Sequence, residues 1–132
     1  MIKHIRYLLI PALFVLYGCK PSVKPEQLYG KWAYIKLENP NGNPPVPEPD
    51  WKLKMEKPTI EFTRNNDLVM YFNGELLAHG KFRTDGDKIQ FNQILDDGQK
   101  REFPFYVLEL TDKQIVFETR GEDASRVTAV KQ

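Results

Sequence analysis

Few residues in this chain are equipped for covalent chemistry. Cys19 is the only cysteine among 132 residues. A lone thiol excludes an intramolecular disulfide, a Cys-based zinc site and a dithiol redox pair, and leaves a nucleophile or a modification site. His79 lies between Ala78 and Gly80 in a strand-like stretch, and period two puts it on the side of Leu77 and Lys81. A histidine-based triad or metal site needs partners, and no Ser or carboxylate is locally arranged with it. A structural histidine near a rim is the plainer reading. The acidic turns Asp85-Gly86-Asp87 and Asp96-Asp97-Gly98 could offer oxygen ligands to a hard cation, but neither has the spacing of a calcium loop. Asp and Gly populate turns for backbone reasons alone. No catalytic residue, metal site or cofactor is therefore expected, and the chain is read as a non-enzyme.

The setting of Cys19 is more specific. Residues 1–19 read MIKHIRYLLIPALFVLYGC, with Lys3 and Arg6 ahead of an apolar run from Tyr7 to Tyr17. That is the charge and length pattern of a signal peptide, too short to span a bilayer, which needs roughly 20 apolar residues. Pro11 disfavours a stable spanning helix as well. Leu16-Tyr17-Gly18-Cys19 resembles the lipobox of bacterial lipoproteins, although Tyr17 is bulkier than the small residue usual there. The resemblance implies cleavage before Cys19 and attachment of a diacylglyceryl group to its thiol. Each buried methylene of such palmitate-type chains adds about 0.8 kcal/mol, so attachment by more than one chain is firm. The formal net charge of +1 becomes −1 once Lys3 and Arg6 are removed, and nothing in that balance suggests nucleic acid. The expected location is the bacterial cell envelope, lipid-anchored at the outer membrane. No acidic cluster follows in Lys20-Pro21-Ser22-Val23 of the kind that resembles a surface-export signal, so the periplasmic face is favoured.

The elements that must position any site read almost wholly as strands. The expected layout is a signal peptide helix over 1–18, a tether over 19–26 and a barrel domain over 27–132. Strand patterns cover Lys31–Glu38, Thr59–Thr63, Leu68–Phe72, Glu75–Thr84, Lys88–Ile94, Arg101–Leu110, Gln114–Arg120 and Arg126–Lys131. Asn73-Gly74 is the strongest hairpin signal among the turns. Short connections force each strand to lie antiparallel to its predecessor. The fold class is thus all-β, an eight-stranded antiparallel up-and-down meander closing into a small barrel and so leaving no open edge. Pro104 must sit at a bulge or with its missing N–H turned away from a ladder. No helix-period apolar stretch is long enough to bury a face.

Leu28-Tyr29-Gly30-Lys31-Trp32 opens the first strand and resembles the Gly-x-Trp signature of lipocalins and of small lipocalin-like lipoproteins of Bacteroidetes-type bacteria. Gly80-Lys81-Phe82 with Gly86-Asp87-Lys88-Ile89 is similar to the central hairpin of that second group, and 107–112 with Ile115-Val116-Phe117 to its late one. The resemblance spans about residues 27–130. It implies that Trp32 packs across the barrel floor, and that the barrel can hold an apolar ligand, but it supplies no common ligand or reaction.

Two further features bear on function. Phe62, Met70, Phe72, Phe82, Phe91, Phe103, Phe105 and Phe117 fall mainly on one parity of their strands, as a barrel interior requires. So many bulky inward groups predict a filled core without a large cavity. The connection 39–58 holds six of the ten prolines and is far longer than an ordinary hairpin loop, so no ladder is expected to run through it. Trp51 follows its Pro-rich part, flanked by Lys52, Lys54 and Met55. These features point to a non-enzymatic, membrane-tethered binding module for a small apolar ligand or an envelope protein partner, with Trp51, Met55, Tyr71 and His79 as the candidate contacts. A structural or assembly lipoprotein with a filled barrel and no ligand is the alternative. The oligomeric state stays open.

Overall fold

The computed structural model describes residues 22–42 and 44–132. The signal segment and Cys19 lie outside the described residues, as does Asn43. The described residues form nine strands: β1 (Gly30–Asn39), β2 (Val46–Pro47), β3 (Thr59–Phe62), β4 (Asp67–Phe72), β5 (Glu75–Asp85), β6 (Lys88–Ile94), β7 (Lys100–Leu110), β8 (Gln114–Glu118) and β9 (Arg126–Lys131). All pairings from β3 to β9 join sequence neighbours and are antiparallel, and β1 pairs with both β3 and β9. The eight expected strands are thus β1 and β3–β9, closed into a barrel as the turn spacing demands.

Pro104 lies inside β7, opposite Gln90 of β6. Val107 donates its N–H to Asp87 O, 2.8 Å away, towards β6. Alternation along β7 therefore turns the Pro104 nitrogen to the other side, where pairing with β8 begins only at Tyr106. The proline costs no ladder bond there.

The long connection departs from expectation. A ladder does run through it, if briefly: β2 pairs Glu38 with Pro47 and Asn39 with Val46. A seven-residue helix, α2 (Asp50–Glu56), follows; α1 is the single turn Pro25–Leu28. Pro49 precedes the helix with φ −62°, a value preset by its ring and suited to helix entry. Lys57 ends it at φ 46°, its N–H bonded to Leu53 O. Only Leu53 of α2 is buried, so its apolar pattern is too sparse to register as helical periodicity. The helix fills the place where β1 parts from β3. Beyond Ala33 those strands no longer pair, and the Tyr34 N–H instead meets Pro58 O at 3.0 Å.

The lower half of the barrel is solid. Trp32, Ile60, Leu68, Ile89 and Ile115 have no exposed surface. Trp32 Nε1–H donates to Leu28 O at 2.8 Å, so α1 lies across the barrel end with Leu28 fully buried. This matches the floor-closing role implied for Trp32. Val23 is also buried, its N–H bonded to Gly86 O at 2.8 Å. Val23, within the stretch 19–26 expected as a tether, thus packs against the barrel.

Three strands carry a bulge: register slips at Ile35 of β1, Leu77 of β5 and Leu108 of β7. Each extra residue carries a large, exposed apolar side chain, with Leu77 at the rim of the barrel mouth. A bulge interrupts alternation and bends its strand, so residues beyond it resume the inner face.

Candidate functional site

The upper half of the barrel is hollow. A cavity of about 350 Å³ opens at the end opposite Trp32, within the range typical of small-molecule sites. This corrects the expectation of a filled core. Strand parity identified the inward residues correctly but carries no information on width, which small side chains decide here. Ala78 of β5 and Ser125, ahead of β9, line the space where large groups would close it. Gly80, buried one pleat below Ala78, adds no bulk.

Aromatic rings build the lower wall. Phe91, Phe103, Phe105 and Phe117 form a continuous array with centroids 5.2–5.9 Å apart, in the offset and edge geometries that ring quadrupoles favour. Tyr34 joins it edge-on to Phe117, at 6.3 Å and 78°. Its hydroxyl makes no hydrogen bond among the described residues, and desolvation pushes its pKa well above the ordinary tyrosine value. It therefore remains a neutral hydroxyl at physiological pH. Sequence reasoning missed Tyr34. The available signal was its inward parity, two residues after Trp32 on β1.

At the mouth, Glu56 and Pro58 close the side where α2 sits, and Phe72 and Leu77 stand opposite on the β4–β5 hairpin. The Asn73 N–H donates to Glu56 O, tying hairpin to helix. Asn41 Nδ2–H donates to Gly121 O at 2.9 Å, joining the β1–β2 and β8–β9 loops. Glu56 is the sole charged residue among those lining the cavity. Arg101 pairs with cavity-lining Gln93 across β6 and β7 and so shares its inner face. It is nevertheless exposed at the rim, with its guanidinium 4.7 Å from the Phe103 ring.

The four candidate contacts separate into three places. Tyr71 lines the cavity, and Lys31 Nζ stands 5.2 Å from its ring. Trp51 and Met55 lie one turn apart on α2, 64 % and 68 % exposed, and do not line the cavity. His79 is exposed, between inward-facing Ala78 and Gly80, and so lies on the outer face of β5, away from the cavity lining. Among the described residues no group of three His, Cys, Asp or Glu side chains could hold a metal. None of the described helices is long and apolar enough to cross a membrane.

No family model matches the chain, and no curated protein matches it in sequence. The fold does have solved counterparts. A lipocalin-like protein of Bacteroides uniformis superposes with a TM-score of 0.59 at 16% identity, covering 80% of this chain and 99% of its own. An uncharacterized protein of Bacteroides eggerthii superposes with a TM-score of 0.56 at 18% identity, with the same coverages. The barrel is therefore lipocalin-like, as the Gly-x-Trp stretch implied, and at these identities the likeness concerns the fold alone.

Proposed function

We propose that the protein is a non-enzymatic, lipid-anchored module of the bacterial envelope that takes a small apolar molecule into the mouth of its barrel. The apolar cavity carries this reading: an aromatic wall, a half-closed mouth and hardly any charge within reach of a ligand. The thin inventory for catalysis supports binding over turnover, and a lipocalin-like barrel is a fold suited to it. A scaffold with a filled barrel loses its premise, because the upper half is empty of side chains. The anchor rests on Cys19 and its signal-like leader, which favour the outer membrane and its periplasmic face.

A second, compatible reading concerns α2. Trp51 and Met55 form an exposed apolar pair, and a protruding Trp is a strong anchor for an envelope protein partner.

Two experiments test the proposal. Titration of the purified mature chain with a neutral apolar fluorophore such as Nile red should saturate at one site. Ala78→Trp, which fills the cavity, should abolish that binding while leaving the strand content intact. Unchanged binding in Ala78→Trp, or none in the parent, sinks the ligand reading. For the anchor, Cys19→Ser should move the protein out of the membrane fraction; continued retention there removes the lipid from the account.

A further inference from the structure

We infer that the cavity selects a neutral molecule bearing a hydrogen-bond acceptor, such as a ketone, ester or ether, which the Tyr34 hydroxyl holds. The carboxylic acid of the same skeleton is rejected. This deepens the proposed binding role and rests on it.

Three observations carry the selection. The first is Tyr34 itself, a hydroxyl-bearing residue of the lining whose ring stands edge-on to Phe117 of the ring array. Tyr34 is half-buried, and its hydroxyl, without a partner among the described residues, is free to bond a guest in the cavity. Met70, Phe91, Phe105 and Phe117, which line the cavity with it, offer no oxygen acceptor. A ligand carbonyl or ether oxygen would complete its one donor bond.

The second observation is the charge of the lining. A carboxylate at the depth of Tyr34 would lie among aromatic faces, which are electron-rich and repel anions. Among the described residues no cation lines the cavity to compensate its lost hydration, and an unpaired buried charge is costly. Glu56, the charged residue that does line it, adds repulsion.

The third is the position of Arg101. It is the cation on the inner face nearest the opening, but it sits at the exposed rim over Phe103. An acid pairing with it would keep its head in the mouth and leave the Tyr34 hydroxyl unbonded. Arg101 therefore defines the competing mode that an experiment must separate.

The test uses the purified mature chain and matched ligands: a medium-chain methyl ester and its free acid, each displacing Nile red at neutral pH. The ester should displace the probe at a concentration at least roughly tenfold below that of the acid. Tyr34→Phe keeps the ring and should weaken the ester roughly threefold to tenfold, the worth of one hydrogen bond, while leaving the affinity for a pure hydrocarbon of the same length, which has no acceptor, and the unfolding midpoint unchanged. Indifference of the ester to Tyr34→Phe overturns the inference. So does an acid that binds as well as the ester, and more so if Arg101→Gln then abolishes it, for that result places the polar pole at the rim. Failure of probe and ester alike to bind overturns the proposed function along with this inference, whereas probe binding without discrimination overturns this inference alone.

Discussion

Gly80→Ala adds a single methyl group at the tightest place in the barrel. Gly80 is buried on β5 and pairs with Leu68 of β4 and Gln93 of β6. A Cβ there would press on the Asn92 carbonyl oxygen more closely than real Cβ contacts allow. It would also stand 2.9 Å from both the Asn92 carbonyl carbon and the Gln93 Cα, where ordinary contact begins at 3.4 Å. These are backbone atoms within the β5–β6 ladder, so no side chain can swing aside. Relief requires parting the two strands locally. Overpacking of this kind costs about 1–3 kcal/mol, and a ladder bond weakened beside it adds about 1 kcal/mol. The expected loss is therefore about 2–4 kcal/mol, a large share of the roughly 5–15 kcal/mol that holds a domain together. Urea unfolding followed by tryptophan fluorescence should show the midpoint falling by about 1–2 M, for a slope of about 2 kcal/mol/M. Gly98→Ala is the control: φ is +85° with nothing near a Cβ, so only left-handed backbone strain of about 1–2 kcal/mol is expected. A Gly80→Ala loss under about 0.5 kcal/mol, or one smaller than the control's, would refute the close-approach reasoning.

Trp32→Ala should cost about 3–5 kcal/mol in the same assay, as for other large core truncations, and Trp32→Phe about 1–3 kcal/mol for leaving Leu28 O unpaired. On α2, Leu53→Ala should cost about 2 kcal/mol or more, whereas Trp51→Ala and Met55→Ala should stay within about 0.5 kcal/mol, being exposed. Equal losses would mean that the outer face of α2 is packed in solution. Alkali should also destabilise the fold through Tyr34. Its folded pKa is raised, so folded and unfolded forms are equally protonated below about pH 10. Above that the unfolded chain releases a proton that the folded chain retains, and stability falls with rising pH. Phenolate absorbance should show one tyrosine ionising only with unfolding, and Tyr34→Phe should remove that step and lessen the alkaline loss.

Alternation and turn chemistry were enough to read β1 and β3–β9, because each strand has one wet face and each turn a Gly, Asn or Asp signal. Trp32 was legible for the same reason, and so was the orientation of Pro104. The segment 39–58 was not. Its prolines read as breakers, yet Pro47 tolerates a two-residue edge and Pro49 presets the entry to α2, a helix held by little more than Leu53. The cavity was hidden for another reason: parity says which way Phe91 or Phe105 points, not whether the opposite wall offers Ala78 or a leucine. Bulges at Ile35, Leu77 and Leu108 blurred the reading further by shifting the parity of the residues beyond them. Tyr34 was not singled out, because parity places its ring inward but says nothing of whether its hydroxyl has an acceptor.

The bond from Val23 to Gly86 O fixes more than a register. It ties the incoming chain to the closed end of the barrel, beside α1 and Trp32, with only Lys20, Pro21 and Ser22 between it and Cys19. Four residue steps span at most about 14 Å, so an acylated Cys19 would hold the floor against its own leaflet and leave the mouth pointing away from it. Cargo would then arrive from the aqueous compartment or from whatever faces the membrane across it. On that geometry an acylated form would be a receiver turned outward on a short leash, not an extractor of lipids from the bilayer beneath it.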